Sequence, residues 1–209
     1  MKIIGLCGKA GAGKDTAGEF ILEWCRRNGF TAERVAFADP LKVSAARSLG
    51  FNGATEDCVA FCNELKVSGC LSWSSERDDK PSGLPTVHTI TGREFLQLFG
   101  TEAHRDVFGQ EFWVEQTEKR LAEMSGAVDV VVLTDCRFDN EAKMIRRHEG
   151  EVWEVVWPEL PESTDEHVSE AGLPDGAIEF QIINDFPRGP DGLREFQELV
   201  EKVCESNLR

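Results

Sequence analysis

Apolar positions along this chain alternate between two spacings, one suited to strands buried on both faces and one to amphipathic helices. Ile3, Ile4, Leu6 and Cys7 form a short apolar run that reads as a strand. Beyond a glycine-rich stretch, Ala17, Phe20, Ile21 and Trp24 recur at helical spacing from Thr16, and Gly29 closes that helix near Asn28. Arg34 to Ala38 reads as a second strand, and Leu41 to Leu49, after Asp39-Pro40, as a helix. The final third resumes the alternation. Val130 to Leu133 is a β-branched strand running into Thr134-Asp135, Glu141 to His148 a helix closed by Gly150, and Val152 to Trp157 a strand stopped by Pro158. Pro161 to Asp175 reads as a loop and Ile178 to Ile183 as a last strand. Leu193, Phe196, Leu199, Val200 and Val203 mark a closing amphipathic helix.

The middle has a different character. Two helical patterns flank Ser72 to Pro85, a stretch of Ser, Asp, Pro and Gly that reads as an exposed loop. Thr91-Gly-Arg-Glu94 has capping-box spacing, with Thr91 as N-cap and Glu94 reaching back to it. Phe95, Leu98 and Phe99 then give an apolar stripe expected to pack in a core. Strands alternating with helices predict an α/β chain with a mainly parallel sheet covered on both faces. The expected division is one domain, with a core from residues 1–50 and 128–209 and an insertion at about 51–127.

Composition narrows the function classes. At 209 residues, 41% hydrophobic and 29% charged, the chain has ordinary globular proportions. It shows no apolar run long enough to span a bilayer and no signal-peptide core, so a cytoplasmic location is expected. The formal charge of −15 argues against an extended nucleic-acid polymer as partner, yet leaves room for small phosphorylated ligands held by a local cluster of cations. The seven cysteines lack paired CxxC spacing. Cys58, Cys62 and Cys70 with His88 could ligate a metal, but thiols in a reducing cytosol account for them more simply.

Gly8-Lys9-Ala10-Gly11-Ala12-Gly13-Lys14 matches the GxxxxGK skeleton of a phosphate-binding loop. Small residues let successive backbone N–H groups turn toward phosphate oxygens, the following helix adds positive potential, and Lys14 can reach the β- and γ-phosphates. The skeleton is too short to decide alone; here it follows an apolar strand and opens a helix, as the motif requires. Asp15 stands where the general motif has Ser or Thr for Mg²⁺. A carboxylate is also a hard oxygen donor, Thr16 offers a hydroxyl one residue on, and Asp15 could instead face an acceptor.

Asp135 ends an apolar strand at the sheet edge where the glycine loop also lies, the position at which P-loop enzymes hold Mg²⁺. Joining two anionic phosphates needs cations to neutralise and align them. Lys42, Arg93, Arg105 and Arg137 are candidates, each also readable as a surface charge. Arg137 is best placed, two residues past Asp135. Arg93 sits in a first helical turn, where a cation opposes the dipole and a ligand would explain it.

Taken in order, Gly8-Lys-Ala-Gly-Ala-Gly-Lys-Asp-Thr16, Phe37-Ala-Asp-Pro-Leu-Lys42, Thr91-Gly-Arg-Glu-Phe-Leu-Gln97, Phe99-Gly-Thr-Glu102, Arg105-Asp-Val-Phe-Gly109 with Trp113, Thr134-Asp-Cys-Arg-Phe-Asp-Asn-Glu141, His167-Val-Ser-Glu170 and Ile183-Asn-Asp185 resemble the phage deoxynucleoside monophosphate kinase family. Asp at position 15 is normal there. The resemblance implies a P-loop NTPase three-layer α/β/α fold with a helical substrate and lid insertion, and transfer from ATP with Mg²⁺. It implies Gly11, Ala12, Gly13, Lys14, Asp15 and Thr16 around the ATP phosphates, with Asn184 and Asp185 near the adenine. It puts Asp39, Lys42, Glu94 and Trp113 on the acceptor side, Arg93 and Arg105 as phosphate clamps, and Asp135 and Arg137 at the reacting centre. Asp15, Thr16 and Asp135 become the Mg²⁺ residues. The Ser72 to Pro85 stretch is not among the segments that carry the resemblance.

The expected activity is therefore γ-phosphate transfer from ATP to a deoxynucleoside monophosphate, without nucleic-acid or membrane partners. Competing readings are a P-loop kinase for dephospho-coenzyme A or a phosphomevalonate-like acceptor, and an ATP-binding module without turnover. The accepted base and the oligomeric state, a homodimer included, are not encoded in any motif.

Overall fold

The computed structural model describes residues 1–75, 86–160, 172–174 and 176–208. His167 to Glu170, and all of the expected 161–175 loop except 172–174, lie outside them. The chain forms two compact units, one from Met1–Phe37 with Val114–Arg209 and one from Ala38–Trp113. These bounds fall at 38 and 113, whereas the sequence reading put them near 51 and 127.

The first unit holds β1 (Lys2–Cys7), α1 (Lys14–Arg27), β2 (Ala32–Val35), β5 (Val130–Leu133), α7 (Asp139–Arg147), β6 (Glu151–Val156), β7 (Phe180–Ile183) and α8 (Pro190–Asn207). Most of α6 (Phe112–Met124) belongs to it as well. Its five strands are ordered β2-β5-β1-β6-β7 and pair in parallel throughout. β1 is central, so what leaves its C-terminal end emerges at the middle of the sheet edge.

Period-two alternation explains the layers. Ile4, Leu6, Val130, Val132, Trp153 and Val155 pack with Ile21, Trp24, Phe196 and Val200 of α1 and α8. Ile3, Cys7, Val131, Leu133 and Val152 point the other way, against Val114 and Leu121 of α6 and Met144 and Ile145 of α7. A parallel sheet clad on both faces is the three-layer α/β/α arrangement that the alternation predicted. β2 is shorter than expected: the chain leaves it after Val35, and Ala38 already begins α2 (Ala38–Ser48). Pro40 is tolerated there because a first-turn residue needs no intrahelical N–H bond.

The second unit contains α2, α3 (Thr55–Ser68), an antiparallel hairpin of β3 (Cys70–Ser75) and β4 (Thr86–Thr91), and α4 (Gly92–Gly100). A five-residue π-helix (Thr101–Arg105) and the single turn α5 (Asp106–Phe108) follow. The hairpin replaces the start of the expected Ser72 to Pro85 loop. Its strands are too polar to announce themselves and are held by cross-strand pairs. Trp73 stacks on His88 with ring centroids 5.1 Å apart, and Ser72 and Thr89 share a hydroxyl bond of 2.9 Å.

α4 is capped as predicted. Thr91 Oγ1 accepts from Glu94 N at 3.2 Å, and the Glu94 carboxylate accepts from Thr91 N at 2.8 Å. Its buried stripe is not the expected Phe95, Leu98 and Phe99, because Leu98 is exposed. Gly92, Leu96 and Gly100 are buried instead. A Cβ on Gly92 would lie 2.0 Å from the carbonyl of Leu65, and one on Gly100 2.3 Å from Leu41 Cδ1. Close approach at the glycines sets the orientation, leaving Phe95 and Phe99 half-buried beside the Ala45, Ala46, Cys58 and Cys62 core.

Candidate active site

The glycine loop leaves the central strand and turns on residues few side chains could replace. Gly8, Gly11 and Gly13 have φ of 127°, 82° and 102°, the left-handed region where a Cβ is strained. A Cβ on Gly8 would lie 2.2 Å from the carbonyl of Val155 in β6, and one on Gly13 2.8 Å from Asn184 Nδ2. Ala12 N donates to Lys9 O at 3.2 Å, closing the turn, and no side chain caps α1. The first turn of that helix therefore presents N–H donors beside the loop. Lys14 Nζ bends back over the loop and donates to the carbonyls of Gly8 and Lys9 at 2.8 Å each.

A cavity of about 340 Å³ adjoins this loop. Gly11, Gly13, Thr16 and Asn184 line one part of it, and Trp157, Phe186, Arg188 and Leu193 another. The Arg188 guanidinium carbon sits 4.2 Å above the centre of the Trp157 ring. Thr16 faces the cavity, whereas Asp15 is exposed. Asn184, expected near an adenine, donates through Nδ2 to Ala12 O at 2.9 Å, so its amide braces the loop. Asp185 is exposed. Sequence reasoning missed Trp157 and Arg188; their signal was position, at the end of β6 and just before α8 on the same sheet edge.

Asp135 and Arg137 follow β5 on that edge, and both are half-buried. The loop carrying them is tied at each step. Thr134 N donates to Val35 O at 3.2 Å, Asp135 Oδ1 accepts from Phe37 N at 2.7 Å, and Cys136 N donates to Leu6 O at 3.0 Å. Glu141 Oε2 accepts from Arg137 N at 2.8 Å and Phe138 N at 3.1 Å. Burial pushes the Cys7 thiol up to about 12, with Glu154 adding to the rise, and burial with Glu141 likewise raises Cys136 well above the ordinary thiol value. These two thiols remain protonated and serve as packing.

The remaining expected residues all belong to the second unit. Asp39 and Lys42 lie in the first half of α2, Arg93 is exposed in the first turn of α4, and Arg105 is buried at the end of the π-helix. Glu94 and Trp113, expected on the acceptor side, both carry structural bonds. The Glu94 carboxyl is held below its usual range by the backbone N–H and hydroxyl of Thr91. Trp113 is 2% exposed and donates its indole N–H to Gly100 O at 2.9 Å. Cys58 and Cys62 are buried and donate to the carbonyls of Gly53 and Lys42. Among the described residues no group of three or more His, Cys, Asp or Glu is placed to hold a metal ion by itself. A cation held largely by substrate phosphates needs fewer protein ligands, and the oxygens of Thr16 and Asp135 are of the hard type Mg²⁺ takes. No helix among the described residues is long and apolar enough to cross a membrane.

A family model of deoxynucleotide monophosphate kinases matches residues 84–187. A deoxynucleoside-5'-monophosphate kinase of Escherichia phage T5 is 26% identical over an alignment of 249 positions that covers 99% of this chain and 97% of that protein. A deoxynucleotide monophosphate kinase of Escherichia phage RB69 is 31% identical over 112 positions, covering 53% of this chain and 43% of that one. A solved shikimate kinase from Bacteroides thetaiotaomicron aligns over 98% of both chains at 13% identity with a TM-score of 0.38, a likeness too loose to carry an argument. The end-to-end alignment and a family match running from β4 to just past β7 agree with the glycine loop on the central parallel strand: the chain is similar to deoxynucleotide monophosphate kinases along its whole length.

Proposed function

We propose that this protein is a kinase that transfers the γ-phosphoryl group of ATP to a deoxynucleoside monophosphate, giving ADP and the diphosphate. The observation that carries the reading is the glycine cradle at Gly8 to Gly13, with the Lys14 ammonium over it and Asp135 on the same sheet edge. Similarity to monophosphate kinases directs that cradle to phosphoryl transfer, since the relatives bear that name. The proposed location is the cytoplasm, that of the host if the chain is phage-encoded.

In this reading the loop amides and Lys14 hold the β- and γ-phosphates, with Lys14 exchanging its two carbonyl contacts for phosphate oxygens. The cavity beside Gly11 and Gly13 receives the donor nucleoside, where the Trp157–Arg188 pair offers a flat cationic face to a base. Thr16 and Asp135 are the oxygens that would hold Mg²⁺, which would supply neutralisation of the negative charge on the phosphates. Arg137 meets charge building on the transferred group. In the second unit Asp39 and Lys42 bind the acceptor, while Arg93 and Arg105 hold its phosphate. An acceptor phosphate is already an anion at neutral pH, so no general base is required.

The deciding experiment is a coupled ADP assay with dGMP, dTMP, dCMP and dAMP. ADP is expected only when a monophosphate is present, and Lys14→Ala should lower turnover by about 100-fold or more. Failure of all four acceptors with wild-type protein that binds ATP would overturn the reading.

A further inference from the structure

α4 and α7 begin in the same way, yet their glutamates do different things. Glu94 and Glu141 both occupy the third residue of a helix and both accept the backbone N–H of the residue capping it. Glu94 is exposed and stops there, its carboxylate going to Thr91 N and the Thr91 hydroxyl. Glu141 is 2% exposed and reaches one residue further back, so that Oε2 accepts from both Arg137 N and Phe138 N. Burying a carboxylate is costly, and an exposed one caps a helix equally well. Burial and the extra bond to Arg137 therefore ask for a reason beyond the cap.

The loop supplies one. Cys136 N is bound to Leu6 O on the central strand, and Asp135 is bound to Phe37 N. Arg137 is the next residue, and the amide that joins it to Cys136 is the one Glu141 grips. Anchors on both sides of its Cα fix the direction in which the side chain leaves the loop. We propose that Glu141 is a positioning residue for phosphoryl transfer: its buried carboxylate locks the backbone at Arg137 and so holds the guanidinium ready for the transferred phosphate. The proposal rests on the kinase reading given above.

The test is steady-state kinetics of full-length wild-type protein, Arg137→Ala, Glu141→Ala, Glu141→Asp, Glu141→Gln and the Arg137→Ala/Glu141→Ala double variant. Glu141→Ala should lower kcat by about 10- to 100-fold, with the KM for ATP changed less than about 3-fold. Glu141→Gln, which keeps an acceptor oxygen, should recover most of that loss. The double variant should fall within about 2-fold of Arg137→Ala alone, because a group acting through Arg137 has nothing left to position. Losses that multiply, or a folded Glu141→Ala with wild-type kcat, would overturn the proposal. Should the alanine variant fail to fold, Glu141→Asp decides, since its shorter side chain cannot span both amides: wild-type kcat there overturns the idea. Amide exchange at Arg137 and Phe138 separates the two readings. Fast exchange in wild-type protein removes the basis for the positioning role, whereas slow exchange in a wild-type protein inactive toward every acceptor refutes the kinase reading and, with it, the assigned role.

Discussion

The side-chain amide of Asn184 donates to the carbonyl of Ala12 at 2.9 Å, tying the segment after the edge strand β7 to the glycine loop that leaves the central strand β1. The bond crosses 172 residues of sequence and holds the loop's second half against the cavity. Asn184→Ala should free that half and weaken ATP binding by about fivefold, the worth of one net hydrogen bond near 1 kcal/mol. Calorimetric titration of both proteins with ATP measures it; unchanged affinity would show that the loop holds its shape unaided.

Gly8 meets the opposite constraint, lack of space. Its φ of 127° disfavours any Cβ, and the nearest atom to one, at 2.2 Å, is a backbone oxygen of β6 that cannot rotate away. Gly8→Ala should cost about 2 kcal/mol or more, a drop in melting temperature of about 5 °C or more, and it should abolish stabilisation by ATP. Melts with and without ATP read both effects.

Acid should loosen the first unit at a definite place. The hydroxyl and then the backbone N–H of Thr31 hold the Asp129 carboxyl below its usual 3.8, joining the start of β5 to the start of β2. Because the folded value is depressed, this stabilisation is complete above the unfolded value. It is lost as pH falls through the folded one. The Glu94 cap behaves likewise below 4.5. Urea midpoints should therefore hold steady near neutrality and decline below about pH 4, with Asp129→Asn showing a shallower decline. Parallel curves for the two proteins would show that Asp129 contributes nothing.

Thiol labelling should be nearly silent. Of seven free cysteines only Cys70 is exposed. Burial pushes Cys7 and Cys204 up to about 12 and Cys25 to about 11, which keeps the reactive thiolate scarce. Ellman's reagent should modify one thiol quickly in native protein and the remainder only on unfolding. Rapid labelling of two or more would contradict the burial of Cys7, Cys25, Cys58, Cys62, Cys136 and Cys204.

What could be read from the residues was whatever depends on neighbours in the chain. The glycine loop, the capping box at Thr91, the β-branched run before Asp135 and the amphipathic last helix are each set by spacing within a turn or two. The hairpin of β3 and β4 was not legible, because its strands are polar and exist through pairs such as Trp73 with His88. The apolar stripe of α4 was misread because two glycines, which carry no hydrophobic signal, determine which face approaches Leu41 and Leu65.

The candidate site divides along the same line. By itself the sequence determined the glycine loop between the first strand and the first helix, since small residues at that spacing allow the turn that joins them. The tertiary structure alone decided that Asn184 braces the cradle, that Trp157 and Arg188 form one face of the adjoining cavity, and that Glu141 is buried beneath Arg137. The physical reason is that such contacts need the parallel sheet to bring the ends of separate strands to one edge, and no local pattern in the chain records which residues will meet there.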